Sequence, residues 1–169
     1  FAGGNGECRS SVCVLIGCIV GRDNCDANDT NGCETDIRSN LMHCGRCGNV
    51  CPTRANATSF CSAASCGITC AAGFDNCDRV DGNGCEVDTR TNISNCGACG
   101  AVCAPPGATG QCASGTCTVR SCAAGLGDCD GVVSNGCETV TASDLSNCGA
   151  CGATCAPANA NGTCMSGTC

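Results

Sequence analysis

The chain has no tryptophan, no tyrosine and no lysine, and its only aromatic side chains besides the single His43 are Phe1, Phe60 and Phe74. That supply cannot fill an ordinary aromatic–aliphatic core, and domains of about fifty residues are marginal even with one. Long apolar runs are also missing. No stretch approaches the roughly 18 residues of a membrane helix, so no membrane span is expected. A secretory h-region is likewise missing, and any signal peptide is expected to have been cleaved ahead of Phe1. Basic charge is scarce: eight arginines stand singly against 15 Asp plus Glu, for a net charge of −7. A nucleic-acid partner would call for a basic stripe, and an anionic membrane surface for a basic cluster. Neither is expected. Apolar residues nowhere recur at i, i+3, i+4 and i+7 through three turns, which argues against amphipathic helices.

What the chain does have is cysteine, 26 in 169 residues, in a spacing that recurs about every 52 residues. Cys8, Cys61, Cys112 and Cys164 each open a C-x4-C step. Intervals of x3 or x4, x6, x7, x10, x2 and x3 follow in the first three copies. Read this way, the repeats cover residues 1–51, 52–103 and 104–155, with a partial fourth at 156–169. Self-similarity at a fixed period marks an array of modules. Each module is stapled rather than packed, since one native bridge contributes about 2–4 kcal/mol. Bridges at this density persist in an oxidising compartment, so an extracellular or cell-surface location is expected. The even count predicts that all cysteines are oxidised. Spacing leaves their pairing open, because eight cysteines allow about 105 connectivities.

Aligned on cysteine, the repeats place Asn31-Gly32, Asn83-Gly84 and Asn135-Gly136 before equivalent cysteines. Asn-Gly favours a type I′ turn. It predicts a small hairpin whose second strand starts at Cys33-Glu34, Cys85-Glu86 and Cys137-Glu138. The glycines around each C-x2-C (Gly45 and Gly48, Gly97 and Gly100, Gly149 and Gly152) predict a compact knuckle with positive φ. Pro52–Phe60, Ala104–Gln111 and Ala156–Thr163 have the composition of short exposed connectors. The fold class expected is therefore small disulfide-rich repeats, turn-rich with short β-hairpins. Modules about 25 Å across are expected to follow in tandem as an extended rod.

The run Asp128-Cys129-Asp130-Gly131, with Asn135-Gly136-Cys137-Glu138 and Asn147-Cys148-Gly149-Ala150-Cys151-Gly152-Ala153-Thr154-Cys155, resembles extracellular cysteine repeats written DCDG…NGCE…NCGACGxxC. Those repeats occur in myxobacterial and some eukaryotic surface proteins. The second half is also similar to the C-G-x-C-G-x-x-C core of plant stigma-specific secreted proteins. The resemblance covers all three repeats and implies a secreted disulfide-rich module without implying one activity. The first repeat departs from it: His43 replaces the asparagine found at Asn95 and Asn147, and Arg46 replaces alanine.

Catalytic chemistry finds little support. His43 lies beside Cys44, but Cys96 and Cys148 occupy the same motif with no histidine, so a half-cystine beside a turn residue is expected rather than a Cys–His nucleophile. No enzyme is predicted. One C-x2-C per repeat, with long uneven intervals to other cysteines, does not match a zinc site. Calcium is the one cofactor the residues suggest. Asp26, Asp29, Asn31 and Glu34 in the first repeat, with Asp23, and Asp78, Asp81, Asn83 and Glu86 in the second, with Asp75, offer oxygen ligands on short loops. The third repeat is poorer, since Val140 replaces Asp36 and Asp88. The competing reading is that these acids and amides hold turns. N-x-[ST] sequons at Asn28, Asn56, Asn92 and Asn161 are candidate glycan sites in a host that glycosylates.

One segment breaks the repeat. Val12, Val14, Leu15, Ile16, Ile19 and Val20 have no aliphatic counterparts of that density in the later repeats. They are expected either to pack on a neighbouring module or to form an exposed interaction patch. The C-x4-C half-motif occurs at both Cys8/Cys13 and Cys164/Cys169. This suggests assembly of the chain with itself, head to tail, using the apolar segment together with Cys164 and Cys169. A structural subunit of an extracellular fibre, coat or appendage is thus the leading expectation. The alternative is a secreted or cell-surface binding or adhesion module.

Overall fold

The computed structural model describes all residues, 1–169. It contains no helix. Ten short strands pair as five separate two-stranded antiparallel sheets. β1 (Gly4–Arg9) pairs with β2 (Val12–Cys18), β3 (Arg22–Asp23) with β4 (Thr35–Asp36), and β5 (Ala57–Ser62) with β6 (Ser65–Cys70). β7 (Phe74–Asp75) pairs with β8 (Val87–Asp88), and β9 (Ala108–Ala113) with β10 (Thr116–Cys122). Gly127 and Thr139 form only an isolated bridge where the third copy of the short pair would stand, and Met165 and Thr168 form another. The chain divides into two units, Phe1–Ala72 with Asp78–Glu86, and Gly73–Cys77 with Val87–Cys169.

Within each unit the interior is sulfur. The buried residues other than glycine are Cys33, Cys44, Cys51, Cys85, Cys103, Cys112, Cys137 and Cys155, joined by Thr89, Thr141 and Pro105. Thirteen disulfides close all the cysteines and none is free. The expected disulfide-rich, turn-rich hairpin modules are what the chain builds.

The bridges cross the boundaries read from spacing. Cys61 and Cys66 tie back to Cys44 and Cys51, Cys112 and Cys117 to Cys96 and Cys103, and Cys164 and Cys169 to Cys148 and Cys155. The sets of eight cysteines closed by bridges therefore run Cys18–Cys66, Cys70–Cys117 and Cys122–Cys169. Each pairs first with third, second with fifth, fourth with seventh and sixth with eighth. Only Cys8 and Cys13 stand outside this scheme, and they bridge each other.

Two local expectations are corrected. The type I′ turns lie inside C-x4-C, not at Asn-Gly. Ser10 and Ser11 both have positive φ (49° and 67°), as do Ala63 and Ala64 (48° and 67°), Ser114 and Gly115 (51° and 77°), and Ser166 and Gly167 (49° and 75°). At Asn31-Gly32 only the glycine does (φ 82°), and the second strand begins two residues beyond the cysteine, at Thr35. Gly32, Gly84 and Gly136 serve a different purpose. A Cβ there would run into the backbone of Ala2, Ala55 or Pro106, which lies close because its carbonyl accepts the N–H of the following cysteine. The stretches read as connectors are also partly strand, since β5 and β9 start within them and supply the first arms of hairpins. The knuckle glycines do take positive φ, from 72° at Gly152 to 82° at Gly149.

Candidate functional site

Two features present chemistry to solvent: the acidic loops and the N-terminal hairpin. In the loops, most of the carboxylates are already occupied by backbone N–H groups or side-chain amides. Asp26 accepts from the Asn28 N–H at 2.9 Å and the Asn31 side-chain amide at 2.8 Å. Asp78 does the same with Val80 and Asn83 (2.9 and 2.8 Å), and Asp130 with Val132 and Asn135 (2.9 and 2.8 Å). Glu34 and Glu138 accept the N–H of Cys25 and Cys129, each at 3.0 Å. Glu86 takes the N–H of Asp78 at 3.3 Å, and Asp29 holds the Asn24 amide at 3.1 Å.

At Asp26, Glu34, Asp130 and Glu138 the bonds favour the ionised carboxylate. The Asn28 N–H, then the Asn31 amide, hold Asp26 below the ordinary aspartate value. The Asn135 amide, then the Val132 N–H, do so for Asp130. Glu34 and Glu138 are lowered by their own backbone N–H groups and then by the Thr35 and Thr139 hydroxyls. Asp36 is lowered by the Arg38 N–H and the Ser39 hydroxyl, and Asp88 chiefly by the Arg90 guanidinium, which also stacks 4.8 Å from the Phe74 ring centre. The acids on these loops thus act as turn clamps.

The tightest all-carboxylate grouping is Asp128, Asp130 and Glu138, with ligand oxygens within 4.8 Å of one another. It lies in the third repeat, where the sequence offered the weakest calcium case. The acids of the first two repeats form no such three-carboxylate cluster. Asp81 and Glu86 are engaged in further interactions.

His43 has a specific structural role. Its Nδ1 accepts the Gly48 N–H at 3.0 Å, where Asn95 and Asn147 each accept the N–H of Gly100 and Gly152 at 2.8 Å. The Cys44 sulfur is bonded to Cys61, so no Cys–His nucleophile exists there. The Cys25–His43–Cys47 cluster likewise contains a closed disulfide. The four sequon asparagines are all exposed. Asn28 Oδ1 accepts the Thr30 hydroxyl at 2.6 Å, Asn92 Oδ1 accepts the Ser94 N–H at 2.9 Å, and Asn56 Nδ2 donates to the Cys85 carbonyl at 3.1 Å.

The N-terminal hairpin separates the apolar segment into two faces. Val12, Val14 and Ile16 are 63%, 50% and 66% exposed and share one face with Glu7 and Arg9. Glu7 and Arg9 form an exposed ion pair at 2.8 Å. Leu15 points the other way, half-buried towards Gly4 and the Cys33 sulfur. Ile19 and Val20 follow the strand and are exposed as well. The alternation came from period two; the bulge at Asn5/Gly6, which leaves Ile16 without a ladder partner, has no obvious mark in sequence. Cys164 and Cys169, expected at an assembly face, are bonded within the chain to Cys148 and Cys155.

Comparison with protein-family models, with curated proteins and with solved structures finds no match to this chain. The disulfide content indicates an oxidising environment, in keeping with a secreted or extracellular small-module protein. No helix is long and apolar enough to cross a membrane.

Proposed function

We propose that the chain is an extracellular structural repeat protein, a subunit of a disulfide-stabilised fibre, coat or surface appendage that assembles head to tail with itself. The observation that carries this reading is the way the bridges follow one another along the chain. Each C-x4-C hairpin is locked by two disulfides onto the knuckle of its own set. Successive sets share a strand, since β6 carries Cys66 of one set and Cys70 of the next, and β10 carries Cys117 and Cys122. A chain cross-linked this way resists extension and proteolysis, because local opening must break sulfur–sulfur bonds. The small clefts, of about 180 to 450 Å³ and open to solvent, make a less obvious case for an enclosed reaction site. The resemblance to secreted cysteine repeats points the same way. We read the loop acids as turn clamps that also keep the surface anionic, and glycans at the exposed sequons as compatible with a coat.

Negative-stain microscopy of the native material tests the proposal. Filaments or sheets are expected. Dispersed single chains at high concentration would overturn it. The second reading, a binding or adhesion module, is favoured by one observation, the exposed Val12–Val14–Ile16 face. Saturable binding to a cell surface by unassembled chains, lost in Val14→Glu, would support that reading instead.

A further inference from the structure

The β1–β2 hairpin has two unlike faces. One carries Cys8 and Cys13 together with Gly6 and Leu15. In the bolted hairpins the corresponding face meets the knuckle: Cys61 and Cys66 reach Cys44 and Cys51, and Gly110 leaves room for the Cys103 carbonyl. The opposite face carries Glu7 and Arg9 on β1 and Val12, Val14 and Ile16 on β2, which line one shallow concavity. That side is turned to solvent in a bolted hairpin as well. Along β5, Thr58, Phe60 and Ser62 are exposed while Ala57, Ser59 and Cys61 are partly buried. The openness of the valine face thus belongs to that side of the ribbon, whether or not a knuckle covers the cysteine side.

Only the first of these three hairpins makes that side aliphatic. β6 sets Ser65 and Gly67 where β2 has Val12 and Val14, and the Phe60 ring lies beside Gly67. β10 sets Thr116 and Thr118 there. Arg120, left out of its ladder by a register shift, takes the place of Ile16. A two-stranded ribbon has no interior that could receive three aliphatic side chains. Removing them from water requires a second surface.

The ladder shows what that surface is. Glu7 stands opposite Val14 and Arg9 opposite Val12, so the face consists of two rows, each with one valine and one charge, and the charges differ in sign. Such a pattern is its own complement. A second copy, turned about a two-fold axis that crosses the strands midway between the rows, sets the partner's Arg9 over Glu7 and the partner's Glu7 over Arg9. Each Val12 then meets the other copy's Val14, and Ile16 reaches over the turn of the opposite hairpin. A slip of one row would set Glu7 on Glu7, and like charges directly opposite are destabilising. The charges therefore fix the register. The Glu7–Arg9 pair, exposed at 2.8 Å and of little worth in a single chain, becomes half of a four-charge cluster flanking the aliphatic column.

We propose that the Val12–Val14–Ile16 face of β1–β2 pairs with the same face of a second copy of the chain about a two-fold axis. An isologous contact closes on itself, so it makes pairs and not polymers. It goes beyond the head-to-tail reading and leaves the contact between successive chains of a fibre to other surfaces. A ribbon two strands wide and about 20 Å long offers less than the roughly 800 Å² per partner of a standard interface. The pairing is therefore concentration-dependent.

Sedimentation velocity of the 169-residue chain over a range of concentration tests the contact. A two-chain species is expected to grow with concentration. Val14→Glu, shown by peptide mapping to keep its bridges, should lack that species. Glu7→Arg and Arg9→Glu should each weaken pairing about tenfold or more, because each gives the face two charges of one sign. Mixed in equal amounts, the two variants should pair with each other as well as the unaltered chain pairs with itself. That recovery distinguishes contact across chains from loss of the Glu7–Arg9 pair inside each chain, which both variants share. Three results overturn the proposal: no two-chain species at any concentration, a two-chain species that survives Val14→Glu, or no recovery in the mixture. Microscopy of the same samples keeps the two readings apart. Pairs that never grow into filaments would uphold this contact and overturn the fibre. Filaments without a two-chain species sensitive to Val14→Glu would do the reverse.

Discussion

The β1–β2 and β9–β10 hairpins share a turn type, a cysteine register and a glycine two residues before the first cysteine, yet one closes on itself and the other is bolted to a knuckle. The difference does not lie in the hairpins. It lies in what stands beside them. In β9–β10, Cys112 becomes one of the few buried residues in the molecule, at 8% exposure, while Cys8 and Cys13 remain exposed. Burial here is conferred by docking, because a two-stranded ribbon has no interior of its own.

The largest expected contrast comes from removing bridges. Cys103→Ser/Cys117→Ser breaks one of the two bolts of β9–β10 and should cost about 2–5 kcal/mol, read as a lower denaturant midpoint and new protease cleavage near Gln111. Cys8→Ser/Cys13→Ser should leave that midpoint unchanged and fray only the first hairpin. Equal losses in the two variants would break the comparison.

Alanine at the paired glycines sharpens it. Gly110→Ala sets a Cβ against the Cys103 carbonyl and the Cys103 sulfur, which cannot move. The expected loss is about 1–3 kcal/mol, measured by chemical denaturation. Gly6→Ala meets only the Phe1 ring, which can swing aside, and should be close to neutral.

Turn substitutions should instead erase the contrast. Ser11→Gly and Ala64→Gly both relieve a left-handed residue in a type I′ turn. Each should gain about 1 kcal/mol of local stability by hydrogen exchange, docked or not. A gain at only one of them would show that docking, not the turn, sets the dihedrals.

Acid supplies the smallest effect. Asp26, Glu34, Asp130 and Glu138 have folded-state pKa values below their ordinary ones, so their contribution is present above about pH 4. It is lost as pH falls through the lowered values. Amide exchange at Asn28, Cys25, Val132 and Cys129, corrected for intrinsic rates, should quicken below that pH. The β5–β6 ladder contains no carboxylate and should not respond.

Much of the candidate site was legible for simple reasons. The outward face of Val12, Val14 and Ile16 follows from alternation, and the paired use of Asp and Asn in the loops follows from their habit of bonding nearby backbone. The role of His43 as a stand-in for asparagine could be suspected from its alignment with Asn95 and Asn147, but the Gly48 N–H it accepts is a matter of folded geometry. The turn assignment failed at Asn31-Gly32 because a positive-φ glycine also serves close backbone approach, here to Ala2, and local sequence does not separate the two uses. Ala63-Ala64 escaped notice because alanine carries no turn signal.

By itself the sequence determined that this is an array of stapled, helix-free modules, because repeated cysteine spacing, missing aromatics and absent helical periodicity leave no other way to hold such short units together. It also set the knuckles, since their glycines admit a backbone other residues resist. Which cysteines pair was decided only in three dimensions. A disulfide usually joins Cα atoms about 4.4–6.8 Å apart whose Cβ vectors face each other. Strand register and the approach of one knuckle to the next hairpin supply that proximity. The start of each module therefore moved from Cys8, Cys61 and Cys112 to Cys18, Cys70 and Cys122, and the first hairpin was left to close upon itself.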